Sequence, residues 1–174
     1  MIDYGYGVAL GPLRRENIQE YFLARNDRTV WQWCRQFDLL TEDGHEAWFN
    51  SVQLSHKIRM YEILKNEDIP VGVCGLTDID HVNQRAEFSV YTFPKRRGNG
   101  FGGLALKTLL THGFKNLNLN RIWGETFDGN PASEVFCKLG FQLEGTRKDF
   151  YFRDGKFIDA HLYSMGRDQW LKQS

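Results

Sequence analysis

Hydrophobic and polar positions alternate along this chain with two periods, one typical of helices and one typical of strands. Ile18, Tyr21 and Phe22 repeat at helical spacing, which predicts a helix over residues 15–25. Runs rich in β-branched and aromatic residues, separated by short polar turns, predict strands. The predicted helices cover residues 15–25, 41–54, 102–116 and 132–139, with a further short helix within 29–40. The predicted strands cover residues 8–10, 60–65, 70–79, 86–93, 121–127, 141–143, 147–152 and 157–165.

The turns indicate how these elements connect. Short polar turns make residues 60–93 an antiparallel meander. Thr41, followed by two acidic residues, is a predicted helix N-cap, and Gly140 is a predicted helix end. Asp154 and Gly155 predict the tight turn of a closing hairpin. Helices and mainly antiparallel strands in this order indicate a mixed α/β chain of the α+β class.

The densest chemical signal is a glycine-rich turn that runs directly into the predicted helix 102–116. Its sequence is Arg97-Gly98-Asn99-Gly100-Phe101-Gly102-Gly103. Glycine lets backbone N–H groups approach a ligand closely, and a helix N-terminus offers unpaired donors and a positive dipole end. Lys95, Arg96 and Arg97 add positive charge beside the turn. The sequence therefore predicts a phosphate-binding loop.

Several motifs compete for this turn. A P-loop needs Gly-Lys-Ser/Thr after its last glycine, whereas Leu104 follows Gly103 here, which excludes it. The dinucleotide fingerprint G-x-G-x-x-G fits Gly98, Gly100 and Gly103 literally, but about 70 residues remain after it, too few for a dinucleotide fold. An ordinary glycine-rich hairpin loop is a further alternative.

The remaining motif is a pyrophosphate loop for coenzyme A. Arg97-x-x-Gly100-x-Gly102 resembles the Arg/Gln-x-x-Gly-x-Gly/Ala loop of the GNAT family of N-acetyltransferases. Residues 121–141, with Asn130-Pro-Ala-Ser133 and Lys138-Leu-Gly140-Phe141, resemble the strand, helix and helix end that follow in that family. Residues 144–163 resemble the closing hairpin of the subfamily that acetylates ribosomal-protein N-termini, spermidine and amino sugars. The resemblance extends to the N-terminal residues 13–17 and 24–27, and so spans nearly the whole chain.

The resemblance implies the GNAT fold, a mixed and mostly antiparallel central sheet of about seven strands flanked by helices. Two adjacent central strands, here residues 87–93 and 121–127, would splay apart, with acetyl-CoA, the implied co-substrate, between them. The coenzyme-binding residues implied are Val90, Tyr91, Thr92, Arg97, Gly98, Asn99, Gly100, Phe101, Gly102, Asn130, Ser133, Phe136 and Lys138. Asn130 has an alternative role as a helix cap, and Lys138 as a favourable charge at a helix C-terminus.

The implied reaction is direct attack of a primary amine on the thioester in a ternary complex. A base must take a proton from that amine, because an alkylamine has a pKa of about 10. Glu87 is the first candidate for the base and Glu125 is the second. The alternative for either carboxylate is a purely structural ion pair with Arg85 or Arg121.

The thiolate that leaves the thioester raises a separate question. Many members of the family place a tyrosine on the last helix to protonate it, and here Phe136 stands at that position. Tyr91 is the candidate substitute, with a place in the core as its alternative. A coenzyme thiolate can also leave without a dedicated acid.

The resemblance also indicates where the acceptor binds. The acceptor-recognition residues implied are Arg25, Trp31, His45 and Trp48. Alternatively, these aromatic residues pack the small helices onto the sheet. A nucleotide-linked amino sugar is the first expected acceptor, with Arg25 and Arg35 on its phosphates and the Trp31/Trp33 pair on its base. A polyamine is the alternative, and its acidic pocket would consist of Asp38, Glu42, Asp43 and Glu46. A protein N-terminus is a further alternative, and a non-catalytic acyl-CoA sensor is an alternative from another class.

Composition narrows the choice of partners. The 174 residues are expected to form one N-acetyltransferase domain, 1–174. Because 22 basic and 22 acidic residues balance, no overall charge attracts nucleic acid or a membrane. Cys34, Cys74 and Cys137 form no C-x-x-C pair, which indicates reduced thiols and a cytoplasmic protein. No metal-ligand spacing appears, so no metal is expected. The expected partner is a small-molecule amine, and a homodimer is a further expectation from the resemblance.

Overall fold

The observed strands and helices follow the predicted order. The computed structural model describes residues 1–36 and 38–173. The strands within these residues are β1 (Ala9–Pro12), β2 (Arg59–Lys65), β3 (Ile69–Asp80), β4 (Arg85–Thr92), β5 (Arg121–Phe127), β6 (Gln142–Arg153) and β7 (Lys156–Gly166). The helices are α1 (Ile18–Asn26), α2 (Arg28–Trp31), α3 (Glu42–Leu54), α4 (Phe101–Lys115), α5 (Ala132–Lys138) and α6 (Arg167–Leu171). Short 3₁₀ turns lie at Arg15–Asn17 and Pro94–Arg96.

The strands form one mixed sheet in the order β1-β2-β3-β4-β5-β7-β6. Neighbouring strands are antiparallel, except that β4 and β5 are parallel. The chain passes from β4 to β5 through α4, because two parallel strands require a long crossover connection. The predicted sheet of about seven strands, mixed and mostly antiparallel, is therefore confirmed.

Helices cover both faces of this sheet. On one face α4 buries Leu106, Leu109 and Leu110 in the larger core cluster, as the helical spacing predicts. On the other face α1 and α3 bury Tyr21 and Phe49 in a second cluster with β3. Each helix is held in place because its apolar stripe can be buried only against the sheet. None of the helices within the described residues is long and apolar enough to cross a membrane.

The closing hairpin is more continuous than predicted. The strand expected in two pieces, 141–143 and 147–152, is the single strand β6. Its register against β7 shifts twice, between Leu143 and Gly145 and between Arg147 and Tyr151. Such bulges break the alternation of apolar and polar positions, so the sequence pattern alone suggests an interruption. The predicted turn at Asp154-Gly155 is confirmed, with φ angles of 47° and 79°, as a two-residue hairpin requires.

The helix ends differ from prediction by small amounts. The helix predicted over residues 15–25 begins with the 3₁₀ turn and runs one residue further, to Asn26. The Thr41 cap is confirmed, since its side chain accepts a hydrogen bond from the Gly44 amide at 3.2 Å. Helix α6 was not predicted, because Trp170 is its one buried residue and a single apolar position has no period.

Within the described chain, β4 and β5 pair over three positions and then separate. The paired positions are Arg85–Arg121, Ala86–Ile122 and Glu87–Trp123. At the next position a Cβ atom on Gly124 would lie 2.4 Å from the Phe88 ring. That ring also packs on Phe136 and Phe141, with centroid distances of 5.0 and 5.1 Å. The missing side chain at Gly124 thus gives the Phe88 ring room where the two strands part.

We predict that Gly124→Ala destabilises the fold by about 1–3 kcal/mol. The added methyl group would lie 2.4 Å from a ring that packed neighbours hold in place. The free energy of unfolding in urea measures the effect. The matched control is Gly145→Ala in β6, where nothing lies within 4 Å of the new Cβ. An equal loss in the two variants would contradict the packing argument.

Candidate functional site

The parting of β4 and β5 leaves backbone groups of β4 without a strand partner. Beyond Glu87 the strand continues for five residues beside β3, but not beside β5. Alternate N–H and C=O groups of an antiparallel strand point away from its neighbour. The Phe93 amide donates to the Val71 carbonyl of β3, so the groups of Tyr91 also face β3, while those of Val90 and Thr92 point into the gap. The splayed central strands implied by the sequence are confirmed.

The side chains of β4 divide between two faces of the sheet. Val90 and Thr92 point toward the first turn of α4, since a Cβ on Gly102 would lie 3.9 and 3.7 Å from their methyl groups. Ser89 and Tyr91 line a cavity beneath α3 on the other face. Glu87 belongs to the same alternating set as Ser89 and Tyr91. The gap therefore has a helix N-terminus on one side and a carboxylate with a cavity on the other.

The glycine-rich turn connects β4 to α4. Gly98 and Gly100 have φ angles of 79° and 75°, a left-handed conformation that favours glycine. A Cβ on either residue would meet no atom within 4 Å, so the turn is open to a ligand. Lys95 and Arg97 are exposed beside it. The Asn99 side chain donates to the carbonyls of Arg96 and Arg97, both at 3.1 Å, and so holds the turn itself.

Helix α5 borders the same region, because a Cβ on Gly103 in α4 would lie 3.1 Å from Val135. Asn130 caps this helix, its side chain accepting from the Ala132 amide at 3.0 Å. The Ser133 hydroxyl donates to the Asn130 carbonyl at 2.8 Å. Lys138 is exposed at the end of α5. Asn130 therefore acts as a helix cap, as its alternative role predicts.

These features fit coenzyme A. The first amides of α4 have no partner within the helix, and they adjoin a turn that glycine leaves uncovered. That combination suits a pyrophosphate. An extended amide-containing arm can pair with the backbone of β4 in the gap, as an added strand would.

Phe136 lies in the core. Its side chain is buried, with the ring 5.0 Å from Phe88 and 5.6 Å from Tyr163. Tyr91, the proposed substitute acid, has its hydroxyl in the cavity on the other face of β4. The structure therefore does not bring the Tyr91 hydroxyl to the α4 side of the gap.

Glu87 lies at the apex of the gap, at the last paired position of β4. Its side chain is 8% exposed, and it accepts a hydrogen bond from Arg35 at 2.5 Å. Burial acts to lower the pKa of Arg35, but the hydrogen bond and the charge of Glu87 outweigh burial and raise it. The structural pairing expected with Arg85 or Arg121 is wrong, because Arg85 pairs with Asp80 and Arg121 with Glu144.

Glu125 lies on the facing strand, β5, and has two donors. Arg147 contacts it at 2.9 Å and the Tyr151 hydroxyl at 2.7 Å. Burial and the hydrogen bond to Glu125 raise the pKa of Tyr151 to about 12. The phenol therefore keeps its proton near neutral pH. Both donors come from β6, so the closing hairpin holds Glu125 in position.

The cavity beside Glu87 has a volume of about 220 Å³. Three of the predicted acceptor-binding residues, Arg25, His45 and Trp48, line it. The rest of the lining is mainly apolar and comprises Gln36, Leu40, Gly44, Ile58, Met60, Thr77, Ser89 and Tyr91. Trp31 is not part of this lining. The described lining contains no carboxylate.

Three residues that line this cavity each have a buried polar atom without a hydrogen-bond partner in the protein. Among the described residues, Arg25 Nε, His45 Nε2 and the Tyr91 hydroxyl are buried and make no hydrogen bond. Burial and the nearby charge of Arg25 lower the pKa of His45, so the imidazole is neutral at pH 7. The ring stacks on Trp48 at 4.9 Å, as the packing alternative expects. Arg25 Nε and the Tyr91 hydroxyl can donate, and a buried donor without an acceptor is costly, so these two atoms suit a ligand with acceptor groups.

The partners of Glu87 and Glu125 were not predicted from sequence, although Arg35 itself was expected at the acceptor site. Arg35, Arg147 and Tyr151 contact the two carboxylates, yet they lie 52, 22 and 26 positions away along the chain. No local pattern joins residues so far apart. The alternation of Glu87, Ser89 and Tyr91 was a usable signal for the cavity wall, because period two places them on one face.

Known proteins share this architecture. The model of the acetyltransferase (GNAT) domain matches residues 8–142. The uncharacterised N-acetyltransferase p20 of Bacillus licheniformis is 33% identical over 118 residues, which is 67% of this chain and 66% of that protein. The spermidine N(1)-acetyltransferase of Escherichia coli K12 is 26% identical over 175 residues, covering 97% of this chain and 90% of its own length.

A solved structure has the same fold. Spermidine N-acetyltransferase from Vibrio cholerae, in complex with CoA and spermine, superimposes with a TM-score of 0.90 at 22% identity. The match covers 95% of this chain and 98% of that chain. The family model spans most of the chain, with the predicted loop, the splayed strands and the α4 N-terminus inside it. The chain therefore belongs to the GNAT family of acetyl-CoA-dependent N-acetyltransferases.

Proposed function

We propose that this chain acetylates the primary amine of a small molecule, with Glu87 as the base and a polyamine as the acceptor. The observation that carries the proposal is the position of Glu87. This buried carboxylate is the last residue of β4 that pairs with β5, and its neighbours Thr77 and Ser89 line the cavity. Acetyl-CoA supplies an acetyl group activated as a thioester. An amine entering from the cavity side would meet that group in the gap.

The α4 side of the gap would bind the coenzyme. The amides after Gly100 and the charges of Lys95 and Arg97 would hold the pyrophosphate. The backbone of Val90 to Thr92 would pair with the coenzyme's arm. One N–H there would donate to the thioester oxygen, where negative charge develops during attack. Asn130, Ser133 and Lys138 are proposed as further contacts from the α5 side.

Glu87 is the better candidate for the base because fewer hydrogen-bond donors engage its carboxylate. Glu125 accepts from both Arg147 and Tyr151, and its side chain is 3% exposed. Glu87 accepts from Arg35, whose side chain is half-exposed and able to move. A base must also be neighbour to the attacking amine, and Glu87 adjoins the cavity through Thr77 and Ser89.

Polyamines are the acceptor class that the relatives favour. Full-length similarity to a spermidine N(1)-acetyltransferase supports a polyamine over the amino sugar first expected. The amino-sugar expectation receives no support and is set aside. Asp38, Glu42 and Asp43 are exposed on the segment that borders the cavity, where they would attract distal ammonium groups. Glu46 is excluded from that set because it pairs with Arg15 at 2.7 Å.

A protein N-terminus is the second candidate acceptor, and the cavity favours it specifically. Arg25 Nε and the Tyr91 hydroxyl are buried donors without acceptors. Peptide carbonyls would satisfy them. A second ammonium inside the cavity would instead lie near the charge of Arg25. A polyamine would therefore keep its methylene groups in the cavity and its other ammonium groups at the acidic rim.

Two expectations about the chain's setting stay predictions. Cys34, Cys74 and Cys137 are free, which supports a reducing compartment such as the cytoplasm. A homodimer also remains a prediction.

The coenzyme loop is tested by Gly100→Ala, which we expect to weaken CoA binding about tenfold. Alanine disfavours the left-handed backbone at this position, φ 75°, by roughly 1–2 kcal/mol. The loop would relax and move its amides. The matched control is Gly155→Ala, which has φ 79° and equally open surroundings but lies in the hairpin turn. Calorimetric titration with CoA should give normal affinity in the control, and equal weakening of both would contradict the assignment.

The base is tested by Glu87→Gln, which we expect to lower kcat about a hundredfold or more. Glutamine keeps the shape of the side chain but cannot take the proton. CoA affinity should stay unchanged. Glu125→Gln on the facing strand is the matched variant, with an expected loss below about tenfold because two donors already engage Glu125. The reverse ranking in steady-state kinetics would make Glu125 the base.

The acceptor is tested by following thiol release from acetyl-CoA with spermidine, spermine, Ser- and Ala-initiated peptides and a UDP-linked amino sugar. We expect turnover with spermidine and a monoacetylated product by mass spectrometry. Turnover confined to the peptides would select the second candidate. Tight CoA binding without turnover of any amine would instead favour the sensor alternative.

A further inference from the structure

A cation belonging to the chain itself lies at the proposed binding position of the acceptor amine. The guanidinium of Arg35 donates to Glu87 at 2.5 Å. The charge of Glu125 also acts on Arg35. Arg35 therefore lies on the cavity face of the gap, near carboxylates from both diverging strands.

An ammonium group would be stabilised at this position by the negative charge of the carboxylates. A cation between two carboxylates interacts favourably with both, and the interaction strengthens as water is excluded. Glu87 and Glu125 have side chains that are 8% and 3% exposed. A buried carboxylate without a counter-charge is costly. A cation beside the ionised Glu87 therefore offsets this cost.

The Arg35 backbone is fixed while its side chain is able to leave. Arg153, in the closing hairpin, donates to the carbonyls of Cys34 and Arg35 at 3.1 and 2.8 Å. The Arg35 side chain is nevertheless 54% exposed. Rotation of the side chain would place the guanidinium in water without moving the segment that carries it.

Arg35 is also chemically unable to replace the acceptor in the reaction. A guanidinium keeps its proton at all pH values where proteins are folded. Its hydrogen bond engages Oε1 of Glu87, and a carboxylate bound to a cation is a weaker acceptor for a proton from the amine. An alkylammonium differs, because it can lose its proton and become a nucleophile.

We propose that Arg35 is a specificity-determining residue that competes with the acceptor amine for the position between Glu87 and Glu125. This inference rests on the proposed function, with the amine bound at Glu87. A molecule with several ammonium groups displaces Arg35 more readily than a monoamine, because its distal ammonium groups also interact with the exposed carboxylates Asp38, Glu42 and Asp43. Arg35 thereby raises the selectivity for polyamines over simple alkylamines.

Arg35→Ala tests the competition. We expect KM for spermidine to fall about five- to tenfold, with KM for acetyl-CoA unchanged. KM for butylamine should fall further, so that selectivity for spermidine decreases. N-Propylguanidine, which replaces the missing group, should inhibit the variant competitively against the amine and leave the wild type unaffected.

Two control variants distinguish the loss of competition from a general effect of removing an arginine or from poor folding. Arg28→Ala removes an exposed arginine that lies 3.9 Å from Asp154, outside the proposed site, and should change none of these constants. Arg35→Met removes the charge and keeps an apolar stem, so it serves if the alanine variant folds poorly. An unchanged or raised KM for amines in both variants, or no inhibition by N-propylguanidine, would overturn the proposal.

The proposed function and this inference fail in different ways. If neither the wild type nor the variants turn over any amine, the proposed function fails. Calorimetric titration of CoA-loaded protein with spermidine then decides the inference. Tighter binding to Arg35→Ala than to the wild type would support competition at Glu87, and equal or weaker binding would exclude it.

Discussion

The end of the β4–β5 ladder at Glu87 and Trp123 is the constraint on which the rest of this structure depends. A sheet normally continues its hydrogen bonds, because backbone polar groups without partners are costly. Here the ladder stops where the Phe88 ring meets Gly124, while α4 covers one side and the cavity lies on the other. The two strands remain in one sheet through three pairs, yet they present free backbone groups to a ligand. The end of the β4–β5 ladder thus exposes the free backbone groups of β4 between Glu87 and the α4 N-terminus.

The closing hairpin, β6 and β7, contacts both Glu125 beside the gap and the segment that carries Arg35. It supplies Arg147 and Tyr151 to Glu125, and its Arg153 holds the segment that carries Arg35. Both buried carboxylates are therefore paired through residues distant in sequence. Buried charges persist only with such partners. The hairpin, although at the edge of the sheet, thereby contributes to the electrostatics of the centre.

Some polar atoms around the cavity are buried without a hydrogen-bond partner in the protein. Arg25, His45 and Tyr91 each keep a buried polar atom without a hydrogen bond, and each such atom costs on the order of 1–3 kcal/mol. A site of this kind gains affinity when a ligand supplies the missing partners. The apolar walls from Ile58, Met60 and Trp48 would contact the ligand's carbon atoms. In the proposed function, recognition in the cavity would depend on the ligand's shape and on its acceptor groups.

Sequence by itself determined most of the elements, the class of fold and the glycine-rich turn, because each depends on neighbours along the chain. Helical and strand periods, the Thr41 cap and the Asp154-Gly155 turn act within a few residues. The glycines of the loop are needed for its local backbone, φ 79° and 75°. Only the tertiary structure decided which groups face Glu87 and Glu125. Arg35 reaches Glu87 across 52 positions, and such a contact depends on how loop, hairpin and sheet pack together, for which a single sequence carries no periodic signal.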